Sequence, residues 1–381
     1  MKALILSTEG FGNGSMYPFI HYKDDLEARF GFTSEEIVSN DLKEKIRAIK
    51  KFDGDLLFIN TPHRLAREAT EDFYIEVNKI KGNAKVVHFD YGDGHQSMQF
   101  ESVPYVDLFL KQYINRDMSD YEKKYIGGSQ ITDYFVKNGL EESITNEIWT
   151  NMFQSQILPE DYHKLLVGWN FGLWKRLIYL AEGRESFVLW AKDKKHKRIF
   201  SLMRTVRDDI LRKINKVDKP IDVYCRAALY KGWTKMHREK AIAVCNDLPS
   251  TYNVVSSIKK VGFSDYYREM RNSRIFVSPS GWCEYTPKDY EAMYFGALLI
   301  KPCVEHIDTV PDILIPDETY VSVKWDLSDL KEKCIYYLEH EDERLKIVEN
   351  ARKAFVNYYE SKMFLDKIEE ILSKLDLLES K

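Results

Sequence analysis

Carboxylates and a cation follow a short apolar strand within the stretch from Phe276 to Ile300. Glu284 lies in the loop after the strand, and Lys288 and Glu291 lie in the first turns of a helix that begins near Pro287. Backbone N–H groups at a helix N-terminus point outward and carry partial positive charge, which suits a phosphate. The spacing therefore predicts a strand–loop–helix unit that binds an anionic group.

Other charged residues follow other predicted strands. Arg226 and Lys231 come at or beyond the end of the strand predicted over 221–225, and Asp90, Asp93 and His95 end or follow the strand predicted over 85–90. Ligands of open α/β sheets gather beyond the carboxyl ends of the strands. The acidic and histidine groups are therefore candidates for a catalytic base. A capped turn is the alternative, because Asp and Gly favour turns for local reasons.

Three glycines, Gly10, Gly12 and Gly14, follow the first predicted strand. They would let the backbone turn sharply and approach a ligand, although a simple flexible turn is the alternative. The third glycine comes too early for a dinucleotide-binding fingerprint. Asp53 and Asp55 have the Asp-x-Asp form of some metal-binding transferases, but they precede their strand, so we predict an ordinary turn there.

The elements that must position these groups alternate between strands and helices. In the N-terminal half, strands are predicted over 3–7, 55–60, 85–90 and 106–111, and helices over 34–50, 64–81 and 171–182. In the C-terminal half, strands are predicted over 221–225, 252–256, 275–278, 297–300 and 320–323, and helices over 237–245, 265–272 and up to 339, with a helical tail over 341–378. This alternation predicts parallel α/β sheets.

Length and composition narrow the class of protein. A chain of 381 residues exceeds what one core usually supports, so two domains are expected. The net charge of -4 does not favour nucleic-acid binding. Five scattered cysteines lack the spacing of a metal or redox site, which fits a reduced, cytoplasmic setting. The apolar N-terminal run is too short for a signal peptide or a membrane span. The basic run over 192–198 is expected to be a solvated surface, with peripheral contact to anionic lipid as the alternative.

Two such domains facing each other would form a cleft between the carboxyl ends of their sheets. The C-terminal wall would offer cations and a helix N-terminus, which suit a diphosphate. It would also offer carboxylates, which suit the hydroxyls of a ribose or a sugar. A nucleotide sugar has both kinds of group.

The residues from about 220 to 340 carry a recognisable pattern. It comprises Ser278, Pro279, Gly281, Trp282, Glu284, Asp289, Tyr290, Glu291 and Ala292, then Gly296 to Pro302, Pro311-Asp312, Thr319-Tyr320, Trp325-Asp326 and Asp329-Leu330. This pattern resembles the donor domain of GT-B glycosyltransferases, especially the CgeB-like and exostosin-like groups. The N-terminal half matches only in its α/β pattern.

The resemblance implies a GT-B fold, with two Rossmann-like domains facing a central cleft and a C-terminal helix crossing back. It places an acceptor-binding domain at 1–200, a donor-binding domain at 201–345, and a helical tail at 346–381 that packs on the N-terminal domain. The implied donor-binding residues are Arg226, Lys231, Gly281, Glu284, Tyr285, Thr286, Lys288 and Glu291.

The resemblance also assigns roles. Glu291 would bind the nucleotide ribose, Glu284 would lie near the donor sugar, and Lys288 would contact phosphate where these groups tend to have Arg. Arg226 and Lys231 would neutralise the diphosphate. Glu284 and Glu291 have six residues between them, whereas retaining GT-B enzymes often have seven, so retention or inversion stays open.

The implied catalytic candidates are Asp90, Asp93, His95 and Glu284. His306 is either a residue of the cleft or an ordinary loop histidine.

The function implied is transfer of a sugar from a nucleotide sugar, the co-substrate, to a hydroxyl of a glycan, a lipid-linked or a small-molecule acceptor. Glycan or polysaccharide biosynthesis is the expected context, with no metal or other cofactor required. The alternatives are an epimerase or hydrolase of the same fold, or a catalytically silent glycan-binding protein. An oxidoreductase or methyltransferase is disfavoured because the glycine fingerprint is missing.

Overall fold

The computed structural model describes residues 1–62, 65–92, 94–95, 100–139, 157–182, 218–230 and 232–378. Within these residues, each half of the chain forms a parallel sheet. The central strands are continuous apolar runs, such as the fully buried Leu56–Ile59, because helices cover both faces of a parallel sheet. None of the helices in the described ranges is long and apolar enough to cross a membrane.

The N-terminal sheet contains β1 (Lys2–Ser7), β2 (Thr33–Val38), β3 (Leu56–Ile59), β4 (Lys85–Asp90), β5 (Leu108–Lys111) and β7 (Leu165–Val167). Its strand order is β2-β1-β3-β4-β5-β7, and every pair is parallel. The helices of this half are α1 (Phe11–His21), α2 (Lys23–Phe30), α3 (Leu42–Ile49), α4 (Arg67–Ile80), α5 (Gln130–Lys137) and α6 (Lys175–Ala181). Short 3-10 turns occupy Phe100–Tyr105, Met118–Glu122, Ile126–Gly128, Pro159–Lys164 and Phe171–Leu173.

The helix predicted over 34–50 was wrong in its first part. Residues Thr33–Val38 form an edge strand that pairs with β1 along six residues. The main-chain pairing with a buried strand prevails there over the helical preference of the glutamates at 35 and 36. The helix begins only at Leu42, where the Asp41 carboxylate accepts a hydrogen bond from the backbone N–H of Lys43 at 2.8 Å.

The C-terminal sheet contains β8 (Ile221–Arg226), β9 (Val254–Ser257), β10 (Ser273–Val277), β11 (Leu298–Pro302) and β13 (Val321–Val323). Its order is β13-β11-β10-β8-β9, again parallel throughout, which confirms the strands predicted for this half. Its helices are α7 (Trp233–Asn246), α8 (Phe263–Arg271), α9 (Pro287–Phe295) and α10 (Leu330–Glu339).

The C-terminal tail forms two helices, α11 (Glu341–Glu360) and α12 (Met363–Lys374), rather than one. Lys362 separates them with a left-handed backbone conformation, φ 55°. The ring of Phe364 packs against Phe19, Tyr22 and Trp169 of the N-terminal half. The tail therefore crosses back onto the first domain, as predicted. The predicted boundary at residue 200 lies outside the described residues.

A two-stranded antiparallel ribbon joins the two halves. It pairs β6 (Tyr113–Asn115) with β12 (Ile307–Thr309). Beside it, the Thr309 hydroxyl donates to the carbonyl of Gln112 at 2.6 Å, and the Asn170 amide donates to that hydroxyl at 2.9 Å. These buried hydrogen bonds fix how the two sheets face each other.

Candidate active site between the two domains

A buried polar network shapes the loop before α9. The Asp289 carboxylate accepts hydrogen bonds from the Thr286 backbone N–H at 2.8 Å and from the Ser278 hydroxyl at 2.6 Å. It also pairs with the Lys301 ammonium at 2.6 Å, and both side chains are almost fully buried. The start of α9 is thereby locked against the ends of β10 and β11, and the loop that carries Glu284 is held in place.

Glu284 meets His95 across the interface between the domains. The Nδ1 atom of His95 lies 2.8 Å from Oε1 of Glu284. Burial would raise the pKa of Glu284, but the electrostatic interaction and hydrogen bond with His95, followed by the interaction with His306, outweigh it, so this pKa is lowered. Glu284 is therefore a carboxylate held against the His95 ring. Two of the predicted catalytic residues are brought together here.

Gly94 permits this approach. Its φ of 73° favours glycine. A Cβ atom at this position would also lie 2.9 Å from the backbone carbonyl of Trp282. The close contact between the two domains thus requires glycine directly before His95.

His306 completes the group of rings. Its imidazole makes edge-to-face contacts with His95 at 5.0 Å and with Trp325 at 5.3 Å, measured between ring centroids. Burial, followed by the nearby His95, lowers the pKa of His306 to about 3. The ring is therefore neutral near pH 7. Of the two readings of His306, its place beside the paired catalytic candidates favours the cleft residue over the ordinary loop histidine.

Asp90 lies elsewhere in its own network. Its carboxylate accepts a hydrogen bond from the Gly92 N–H at 2.7 Å and one from the buried Lys111 ammonium at 3.2 Å. These contacts match the capped turn that was the alternative for this segment. Asp93 lies outside the described residues.

Glu291 is buried rather than open to the cleft, with 1% of its surface exposed. Its carboxylate accepts hydrogen bonds from the hydroxyls of Tyr266 at 2.8 Å and Tyr267 at 3.1 Å. It also pairs with the Arg176 guanidinium of α6 at 2.8 Å. Sequence reasoning missed all three partners, because nothing local links them to residue 291.

The predicted phosphate-binding cations differ in their surroundings. Arg226 makes a two-pronged ion pair with Glu269, at 2.6 and 2.8 Å. The Lys288 ammonium donates to the backbone carbonyl of Arg226 at 3.1 Å, and burial lowers its pKa. Lys231 lies outside the described residues. Lys288 therefore differs from Arg226. It lies at the start of α9, and no carboxylate among the described residues is within hydrogen-bond distance of its ammonium group.

Arg238 is a further cation at this wall. Its guanidinium donates to the carbonyls of Ser280 at 3.2 Å and Ala228 at 2.5 Å. A Cβ atom at Gly281 would lie 2.5 Å from its Nη2 atom. Glycine at 281 therefore allows the guanidinium to lie beside the loop of the predicted donor site.

Tyr285 and Thr286 shape the loop. The Tyr285 ring is buried, stacks on Tyr113 with a centroid distance of 5.5 Å, and lies 5.1 Å from the Lys301 ammonium. Thr286 is the N-cap residue of α9. Both residues hold the loop in the structure, and a direct contact with a nucleotide sugar stays a prediction for them.

The expectation of a glycine-rich loop at residues 10–14 was wrong for two of its glycines. Gly12 and Gly14 lie inside α1, and only Gly10, with φ 70°, precedes the helix. A Cβ atom at Gly12 would lie 1.9 Å from the Thr8 hydroxyl oxygen, and one at Gly14 would touch the Trp174 ring at 3.6 Å. Gly12 therefore allows the helix to pack closely, whereas a Cβ at Gly14 would make an ordinary van der Waals contact. Among the described residues, no group of three or more His, Cys, Asp or Glu side chains could hold a metal ion.

Comparisons with known proteins agree with this architecture. Residues 204–370 match the family described as glycosyl transferase-like. A glycosyltransferase from Rickettsia africae ESF-5 is similar in structure, with a TM-score of 0.50, 13% identity, and coverage of 100% of this chain and 99% of that one. The complex of Anabaena Alr3699/HepE with UDP-glucose has a TM-score of 0.49 and 10% identity, over 98% and 99% of the two chains. A search of curated proteins found no match.

The molecule therefore has the GT-B fold, and residues 204–370 are similar to the glycosyl transferase-like family. The resemblance to GT-B glycosyltransferases predicted from the sequence is confirmed, while the CgeB-like and exostosin-like groups are not distinguished.

Proposed function

We propose that the protein transfers a sugar from a nucleotide sugar to a hydroxyl group of an acceptor, as a step in glycan or polysaccharide biosynthesis. The observation that carries this proposal is the pair of His95 and Glu284, which forms between the two domains at 2.8 Å. It lies one loop before the N-terminus of α9, where Lys288 is placed. A diphosphate bound at that N-terminus would bring the anomeric carbon of its sugar towards the pair.

The hydrogen bond to Glu284 supports a defined tautomer for His95. Because the carboxylate accepts from Nδ1–H, the lone pair of the neutral ring is on Nε2. That atom is buried, and it has no hydrogen-bond partner within the described part of the chain. His95 is therefore suited to act as the general base, with Glu284 orienting its ring and stabilising the imidazolium that forms.

The reaction then proceeds as a single displacement. Nε2 of His95 takes the proton of the acceptor hydroxyl, and the acceptor oxygen forms a bond to the anomeric carbon. The bond between that carbon and the diphosphate oxygen breaks, and its electron pair goes to the diphosphate. Lys288, Arg238 and the N–H groups at the start of α9 stabilise the charge that develops. This path inverts the anomeric centre.

A thermal-shift screen tests the donor site. UDP, GDP, ADP and their common sugar derivatives are added to the wild type, to Lys288→Ala and to the control Lys331→Ala, whose ammonium pairs with Asp247 on the surface. A ligand at one hundred times its Kd stabilises the folded state by about 2.7 kcal/mol. We expect one nucleotide series to raise the melting temperature of the wild type and the control, with about tenfold weaker binding to Lys288→Ala.

Mass spectrometry of the products then separates transfer from epimerisation and hydrolysis. If no nucleotide stabilises the wild type, the proposed function is wrong. If Lys288→Ala binds like the control, the diphosphate lies elsewhere.

A further inference from the structure

Several buried polar atoms, in the pair of His95 and Glu284 and in two residues linked to it, have no hydrogen-bond partner among the residues that the structure describes. They are Nε2 of His95, Oε2 of Glu284, Nδ1 of His306, and both the oxygen and the nitrogen of the Asn115 amide. Nearly all buried polar atoms in proteins have a hydrogen-bond partner, and an unsatisfied one costs about 1–3 kcal/mol. The grouping of such atoms from both domains indicates a site whose polar partners come from a bound molecule.

The ribbon between the domains brings Asn115 to this place. The backbone N–H of Asn115 donates to the Tyr121 hydroxyl at 2.8 Å, and that hydroxyl donates to the carbonyl of His95 at 3.3 Å. Alternate residues of a strand share one face, so the side chain of Asn115 lies on the same face as Tyr113. Tyr113 stacks on Tyr285, the neighbour of Glu284 in the chain. Asn115 is 1% exposed, so its amide is enclosed.

His306, the residue directly before β12, lies beside His95. Its backbone carbonyl accepts from the N–H of Arg116 at 3.0 Å, directly after Asn115 in the chain. Its ring is 5.0 Å from that of His95. The two histidines and Glu284 thus lie in loops that follow strands of the two sheets, and Asn115 lies in the ribbon strand that pairs directly after His306.

The chemistry of these groups selects the ligand. A neutral imidazole nitrogen, an amide and a carboxylate oxygen together donate and accept hydrogen bonds, and a hydroxyl can do both. A carboxylate on the ligand would face the negative charge of Glu284 and be repelled. A neutral polyhydroxylated ring therefore fits, whereas an acidic sugar does not.

We propose that Asn115 and His306 determine which sugar is transferred, by hydrogen bonding to hydroxyls of a neutral sugar ring held beside His95 and Glu284. This inference rests on the proposed function, because the diphosphate at α9 is what places the sugar here.

Isothermal titration with pairs of ligands tests it. Three pairs of ligands are used: UDP with UDP-glucose, GDP with GDP-mannose, and ADP with ADP-glucose. Each ligand is titrated into the wild type, Asn115→Leu, His306→Phe and His340→Phe. Leucine keeps the volume of Asn115, and phenylalanine keeps the ring contacts of His306. His340→Phe is the matched control, since His340 stacks on Tyr336 at the exposed end of α10.

We expect the wild type and the control to bind one nucleotide sugar at least tenfold more tightly than the nucleoside diphosphate. In Asn115→Leu and His306→Phe, the affinity for the nucleoside diphosphate should stay the same and this tenfold gain should disappear. Asn115→Leu should not lower the melting temperature, because it removes an unpartnered amide. If Asn115 has a purely structural role, Asn115→Leu should keep the tenfold gain in affinity from the sugar and should lower the melting temperature.

A comparison that needs no variant completes the test. The wild type should bind UDP-glucuronic acid at least tenfold more weakly than UDP-glucose. The inference is wrong if the variants keep the full gain from the sugar, or if the acidic and neutral sugars bind equally. If the wild type binds no nucleoside diphosphate at all, the proposed function fails together with it.

Discussion

Glu284 and Glu291 lie on the same strand–loop–helix unit, yet their surroundings differ. Glu291 accepts hydrogen bonds from three donors, and both of its oxygens are engaged. One oxygen of Glu284 lies at hydrogen-bond distance from His95, while the other is buried and has no partner among the described residues. Each carboxylate is contacted by a residue of the other domain, Arg176 or His95.

This contrast indicates which carboxylate can take part in the reaction. A carboxylate whose two oxygens both accept from protein donors fastens the elements around it, and Glu291 in this way joins α6 of the first domain to α8 and α9 of the second. A carboxylate with a vacant oxygen beside a histidine can orient a base and contact a substrate. Since a carboxylate accepts about four hydrogen bonds, the ribose-binding role of Glu291 stays a prediction.

Replacing Glu284 should have the largest effect on activity. Glu284→Gln removes the charge that orients His95 and stabilises its protonated form, so kcat should fall about a thousandfold while nucleotide affinity changes little. The measurement is the release of nucleoside diphosphate from the donor found by the thermal-shift screen. Glu332→Gln, on the exposed face of α10, is the matched control. If kcat of Glu284→Gln is nearly normal, Glu284 does not take part in the reaction.

Replacing Glu291 should chiefly affect stability. Glu291→Ala leaves Arg176 and two tyrosine hydroxyls without their acceptor, and the free energy of unfolding should fall by about 3 kcal/mol. Urea denaturation measures this change. Glu369→Ala is the control, because its ion pair with Arg29 is on the surface and should contribute less than about 1 kcal/mol. Equal losses in the two variants would show that Glu291 does not fasten the domains.

The smallest effect concerns pH. His306 has a pKa of about 3 in the folded protein, against 6.5 for an ordinary histidine. Between these values, the unfolded chain binds a proton that the folded chain does not, so stability falls as the pH is lowered. His306→Phe should therefore reduce the slope of unfolding free energy against pH by about 1 kcal/mol per unit. Denaturant midpoints at pH 5 and 6.5 measure it, and identical slopes would mean that His306 is not held neutral.

The two halves of the chain were not equally predictable. The strands of the C-terminal sheet were found from apolar runs bounded by turn residues. In the N-terminal half, β2 was taken for a helix, because an edge strand carries polar residues and owes its conformation to pairing with β1. The helix α1 was missed because Gly12 and Gly14 suggested a loop. Glycine at 12 is favoured by close contacts with the Thr8 hydroxyl and with the amide oxygen of Asn60, and the contact with Asn60 is tertiary.

The sequence by itself determined the unit that carries the site. Pro287 at the first helical position, Asp289 three residues after Thr286, and Gly296 in a left-handed conformation at the helix end are local signals, and the helix lies where they place it. Local signals act over one or two turns, so they can be read from neighbouring residues.

Only the tertiary structure decided which carboxylate has which partner. His95 and Glu284 are 189 positions apart, and their contact depends on how the two sheets face each other. That arrangement is set by the ribbon of β6 and β12, whose strands are three residues long and too short to be predicted from pattern. The same arrangement brings Arg176 to Glu291, and it leaves one oxygen of Glu284 without a partner in the described ranges of the chain.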